Sequence, residues 1–82
     1  MSEPAIRDAI LAATAARGAD KSICPSEVAR ALSPDAWRGL MARVRREAAL
    51  LAREGRIDIL RKGKPVDPTT EIRGVIRLRI RP

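Results

Sequence analysis

Apolar residues recur along this chain with two different periods, helical up to about residue 54 and alternating beyond it. Ile6, Ala9, Ile10 and Ala13 form one stripe, predicting a helix over about residues 4–17, with Leu11 off the stripe. Ser2 is its expected cap, Glu3 complements the positive helix end and Gly18 stops it. Lys21-Ser22-Ile23 is short and β-compatible. Cys24-Pro25-Ser26-Glu27 then opens a second helix to about Leu32: Pro25 suits the first helical position, Cys24 becomes the cap, and Glu27 can reach back to the cap N–H. Val28, Ala29 and Leu32 give its apolar face. Ser33-Pro34-Asp35 repeats the start signal after a tight turn. Trp37, Leu40, Met41, Val44, Ala48 and Leu51 therefore predict a third helix over about 34–54, ended by Gly55.

The period then changes to two. Ile57 and Ile59 oppose Arg56 and Asp58, and Ile76, Leu78 and Ile80 alternate with Val75, Arg77, Arg79 and Arg81. Two half-buried strands over about 56–61 and 75–81, paired antiparallel, are expected, with Leu60 marking a bulge or a register shift. Between them, Lys62-Gly63-Lys64-Pro65-Val66-Asp67-Pro68 is turn-rich and basic and extends to Gly74.

Length and composition narrow the picture. Eighty-two residues make one domain, 1–82, and twenty-one large apolar side chains besides Met1 suffice for a single core without disulfide or metal staples. With one tryptophan and no Phe or Tyr, that core consists of Ile, Leu, Val and Ala, and Trp37 reads as a core residue on the third helix's stripe. A single cysteine excludes an intramolecular disulfide, and the absence of histidine removes the usual metal clusters. No metal site and no cofactor are expected, no stretch reaches the length of a membrane span, and a reducing cytoplasm fits best. Catalysis finds little support either, since there is no Gly-rich phosphate loop, no glycine-framed nucleophilic serine and no visible carboxylate pair. The expected protein is not an enzyme.

The net charge of +7 is unevenly placed: residues 1–33 are neutral, whereas residues 34–82 carry thirteen basic and six acidic side chains. Such a face suits a polyanion. An ordinary solvated surface in an arginine-rich composition is the competing reading, with fourteen Arg against three Lys.

The order helix, short strand, helix-turn-helix, hairpin resembles a winged helix, an α+β fold with a three-helix core and a two-stranded C-terminal wing. More narrowly, ICPSEVARAL at 23–32, PDAWRGLM at 34–41 and EGRIDILRKGKPVDP at 54–68 are similar to a small bacterial domain-of-unknown-function family, number 3253. That resemblance implies the fold and little about function, although winged helices bind DNA or dock on proteins.

In a DNA-binding helix-turn-helix the second helix of the pair enters the major groove. Here Arg38 is the first candidate, with Arg45 on the same flank, and Asp35 nearby opposes phosphate approach. Lys62 and Lys64 beside Gly63 suit phosphate contact from the wing. Arg77, Arg79 and Arg81 share the outer sheet face, where cross-strand pairing with Asp58 or edge protection accounts for them equally well. The leading partner is therefore double-stranded DNA, in a transcriptional or chromosome-associated role. An acidic protein partner is the alternative. Cys24 offers a third, a redox or ligand sensor, because cap N–H groups favour a thiolate. Glu27 opposes that effect, no second cysteine can resolve an oxidised thiol, and a largely buried, slow-reacting Cys24 is expected.

Overall fold

Ser2 caps the first helix as its spacing requires, its hydroxyl accepting the Ala5 N–H at 3.3 Å and starting helix α1, Glu3–Arg17. The computed structural model describes residues 2–82. Ile6 and Ile10 are fully buried on α1, and the stripe continues through Thr14, whose hydroxyl donates to the Ile10 carbonyl at 2.8 Å and is thereby tolerated in the core. Helix α2, Pro25–Leu32, starts as expected, with the Cys24 N–H donating to the Glu27 carboxylate at 2.7 Å. Its Val28 and Ala29 are buried and Leu32 is half-buried.

The third helix departs from its predicted span. Residues 34–36 form a turn, Trp37–Leu40 form a 3-10 turn, and the α-helix α3 runs only over Met41–Arg53. The start lacks a side-chain cap, Pro34 has no N–H to give, and Gly39 is a weak helix former. The first bonds consequently close over three residues rather than four, Gly39 N–H donating to the Ala36 carbonyl at 3.1 Å. The apolar stripe survives this tightening: Leu40, Val44, Ala48 and Leu51 are buried, while Trp37 and Met41 are half-buried against them. Trp37 is thus an edge residue rather than a core one. Glu47, absent from the predicted stripe, is buried on α3.

Strands β1, Ile57–Arg61, and β3, Arg77–Ile80, pair antiparallel in the register Ile57↔Ile80, Asp58↔Arg79, Ile59↔Leu78, Leu60↔Arg77. No bulge interrupts this run. Leu60 is buried on the face opposite Ile59 and stands across from Arg77, whose alkyl stem can lie over it. A short strand β2, Lys64–Pro65, pairs with β1 and makes the sheet three-stranded, in the order β2-β1-β3. On the far side of β3, Ile23 forms a bridge with Leu78 through two 2.8 Å hydrogen bonds, which is the β-compatible segment finding its partner. Ile57, Ile59, Ile76 and Leu78 close the core against the three helices. The architecture is α+β, three helices followed by a three-stranded antiparallel sheet, and is compatible with a winged-helix-like fold.

Candidate nucleic-acid interface

The tip of the wing is a two-residue hairpin. Arg61 pairs with Lys64, leaving Lys62 and Gly63 as the central residues at φ 52° and φ 80°. Positive φ at both positions is the geometry whose twist matches antiparallel strands, and it favours Asn-Gly or Gly-Gly. A lysine at the first position is a costly choice for a hairpin and places its ammonium at the outermost point. Lys62 and Lys64 are both exposed.

Behind the tip, the chain from Val66 to Ile76 folds back along α3. Arg45 donates to the Ile72 and Gly74 carbonyls, each at 3.1 Å, and Arg53 donates to the Pro68 carbonyl at 3.1 Å. Val66 and Ile72 pack half-buried against the core, and Asp67 ties its own turn through the Thr69 backbone and hydroxyl. The Thr69 hydroxyl and N–H hold the Asp67 carboxyl below its usual value. The Arg61 guanidinium approaches Gly74 from the other side, within 3.8 Å of where a side chain there would begin. Arg45 and Arg61 therefore converge on one glycine and join α3 to the hairpin.

At the other end of the helix, Arg38 lies seven residues before Arg45. With three 3-10 steps and four α steps between them, the two fall within about 40° on one flank. The Arg38 guanidinium stands over the Trp37 ring, 4.4 Å from its centroid, and Arg30 from α2 stands over the same ring at 4.3 Å. Arg30 and Arg38 are exposed. A basic strip can be traced from Arg30 and Arg38 at the Trp37 ring to Arg61 at Gly74 and to Lys62 and Lys64 in the hairpin, interrupted at the half-buried Arg45.

Elsewhere several arginines are paired with carboxylates. Arg7 holds Glu54 in a two-pronged pair at 2.8 and 2.9 Å, and Arg43 meets Glu3 at 2.8 Å. Hydrogen bonding by these guanidinium groups keeps both glutamates below their usual value. On the outer sheet face, Asp58 receives Arg79 at 3.1 Å and Arg81 at 3.6 Å, and Arg77 donates to the Ser22 hydroxyl and carbonyl. Cross-strand pairing thus accounts for much of that ladder.

Of the four residues expected to contact DNA, Arg38, Lys62 and Lys64 are exposed on the strip, whereas Arg45 is half-buried and engaged with the returning loop. Arg30 and Arg61 join them unforeseen. Arg30 belongs to the neutral segment 1–33, and only the packing of α2 beside the 3-10 turn brings it to Trp37. The alternation of the first strand could have placed Arg61 next to Lys62 at the wing base. Asp35 is exposed one turn from Arg38. Cys24 is half-buried rather than largely buried, and the Ser26 hydroxyl lies 3.1 Å from its Sγ.

Among the described residues there is no pocket, no group of three or more acidic or cysteine side chains able to hold a metal ion, and no helix long and apolar enough to cross a membrane. A family model described as "Protein of unknown function (DUF3253)" matches residues 3–81. No curated protein matches the chain.

Proposed function

The chain belongs to the DUF3253 family, and from that premise we propose that it is a double-stranded DNA-binding module and not an enzyme, serving transcription or chromosome maintenance in a bacterial cytoplasm. The observation that carries this reading is the segregation of charge. Carboxylates at Glu54, Glu3 and Asp58 pair with Arg7, Arg43, Arg79 and Arg81, while Arg30, Arg38, Arg61, Lys62 and Lys64 are exposed along the strip with no carboxylate partner among the described residues. Phosphates along a duplex are the ligand such a strip fits best, because each neutralised phosphate releases condensed counterions.

The test is fluorescence polarisation of a labelled duplex against salt. Four to five phosphate contacts give a slope of log affinity on log salt of about −4, hence roughly a 250-fold loss between 50 and 200 mM salt. Arg38→Ala with Lys62→Ala should flatten the slope by about 1.8, at 0.9 per contact. Arg17→Ala with Lys21→Ala removes the same charge away from the strip and should leave the slope unchanged. Equal losses from both pairs, or no duplex binding at low salt, refute the proposal.

One observation favours the second reading, docking on an acidic protein. Val75 is 84% exposed beside Gly74, in the middle of the strip, where an apolar side chain suits a protein surface better than a phosphate backbone. Val75→Ser would weaken protein docking and leave duplex affinity nearly unchanged.

A further inference from the structure

We propose that Arg30 and Arg38, held over Trp37, form a phosphate-binding fork that anchors the duplex backbone at the corner between α2 and the 3-10 turn. The proposal rests on the DNA-binding reading for its source of phosphate, and on its own geometry for the site. Each guanidinium carbon lies within 4.4 Å of one ring centroid, so the two are less than about 9 Å apart. Each guanidinium can donate a charge-assisted N–H···O bond of about 2.8 Å to a backbone phosphate oxygen at the edge of the ring. Stacking leaves the N–H edges of a guanidinium free, because the ring engages its face and not its donors.

The indole therefore performs two tasks. It offsets the repulsion of two like charges, and it fixes the orientation of side chains that would otherwise sample many rotamers. Neither arginine has a carboxylate partner to displace. Trp37 is half-buried against the core, so the platform itself is anchored. Asp35, exposed three residues before Arg38, and Glu27, exposed three residues before Arg30 and engaged with the Cys24 N–H, are the acidic groups in the adjoining sequence and moderate the site's affinity for anions. A structural cation–π contact would need one arginine. The second is the feature that a ligand explains.

The experiment uses Trp37 as its own reporter, since the chain has one Trp and no Tyr or Phe. Intrinsic emission is followed while the full chain is titrated, at matched ionic strength, with a short blunt duplex, with tripolyphosphate and with poly-glutamate. Polarisation of a labelled duplex is measured in parallel, and circular dichroism verifies the fold of each variant. The duplex should alter Trp37 emission, and Arg30→Gln and Arg38→Gln should each weaken its binding about fivefold or more. Arg30→Lys, which keeps the charge and loses the planar fork, should restore little of this. Trp37→Leu should weaken binding with no change in net charge, whereas Arg17→Gln should have little effect.

A tripolyphosphate response that Arg30→Gln abolishes, without any duplex binding, would uphold the fork and refute the DNA reading. Duplex binding that Arg30→Gln, Arg30→Lys and Trp37→Leu leave intact would overturn the fork and spare the DNA reading. The fork is equally overturned if Arg17→Gln is as damaging as Arg30→Gln, or if poly-glutamate displaces the duplex, which would identify an acidic protein as the ligand.

Discussion

Arg45→Ala separates a structural role from a ligand-binding one. In the native fold this side chain donates to two carbonyls of the returning loop, Ile72 and Gly74, each at 3.1 Å, and no carboxylate competes for it. A hydrogen bond contributes about 0.5–1.5 kcal/mol net, with charged donors toward the upper end. The Gly74 carbonyl is exposed and regains a water when the donor leaves; the Ile72 carbonyl is partly buried and regains less. The expected loss is therefore about 1–2 kcal/mol, most of it from Ile72. In a domain of this size that lowers the melting temperature by about 4–8 °C per kcal/mol.

Urea unfolding followed by Trp37 fluorescence gives the global change, and amide exchange over residues 72–76 gives the local one, expected to speed up before the rest of the domain. Arg45→Lys should recover less than half the loss, because one ammonium on a flexible stem cannot reproduce a fork reaching two carbonyls. Duplex binding should fall with Arg45→Lys nearly as far as with Arg45→Ala, since both release the loop that braces Arg61. If Arg45→Ala leaves the unfolding midpoint within about 0.3 kcal/mol and the loop amides unchanged, the loop is not held as described. If Arg45→Lys keeps full duplex affinity, Arg45 acts by its charge and not by its contacts.

Other expectations concern single sites. Lys62→Asn should stabilise the hairpin by about 0.5–1 kcal/mol in urea unfolding, because Asn accepts positive φ more readily, while weakening duplex binding by one phosphate contact. Asp35→Asn should raise duplex affinity about two- to fivefold at low salt and less at high salt, measured by polarisation. Cys24 should react slowly with a neutral disulfide reagent, and Glu27→Gln should speed the reaction by removing the carboxylate beside the cap; fast labelling of the unaltered chain would favour the sensor reading. Stability should also fall with acid. Glu3 and Glu54 lie below their usual 4.5 in the folded state through Arg43 and Arg7, so the stability they add is complete above that value and disappears as pH falls through their folded values. Urea midpoints should decline below about pH 5, less steeply in Glu54→Gln, and a parallel decline in both proteins would dismiss the Arg7 pair as the cause.

The elements with strong periodicity and a chemical signal at the boundary were legible from residues alone. Ser2 and Gly18 bracket α1, Cys24 and Glu27 open α2, and the alternation of Ile57, Ile59, Leu78 and Ile80 gives two strands in the correct pairing. What was not legible depended on contacts between distant segments. A stripe of Trp37, Leu40, Met41 and Val44 fits a helix of either pitch, so nothing in it reveals that the first turn tightens to 3-10. Lys62-Gly63 lacks the usual Asn-Gly or Asp-Gly signature, and β2 was hidden inside a loop for that reason. Thr14 and Glu47 are polar by type and buried by position, which periodicity in apolar residues cannot detect. Arg45 carries the clearest lesson: its residue type suited a phosphate, but its acceptors lie in a segment 27 and 29 residues away.

That same contact links stability to recognition. The strip has two ends on different elements, the Trp37 corner and the hairpin tip, and a rigid duplex can engage both only if their separation is fixed. Arg45 and Arg53 fasten the returning chain to α3, and Arg61 abuts that chain at Gly74, so arginine-to-carbonyl bonds add to the pairing of β1 with β3 in holding the hairpin. Such bonds are individually modest and partly exposed, which makes the wing the part most easily loosened. Binding a duplex across both ends should therefore protect the amides of residues 72–76 from exchange more than those of the central strand Ile57–Arg61, which pairing on both sides already shields. Protection confined to the Trp37 corner, with the loop amides exchanging as in the free protein, would mean that the helix end binds alone and that the wing lysines are not part of the interface.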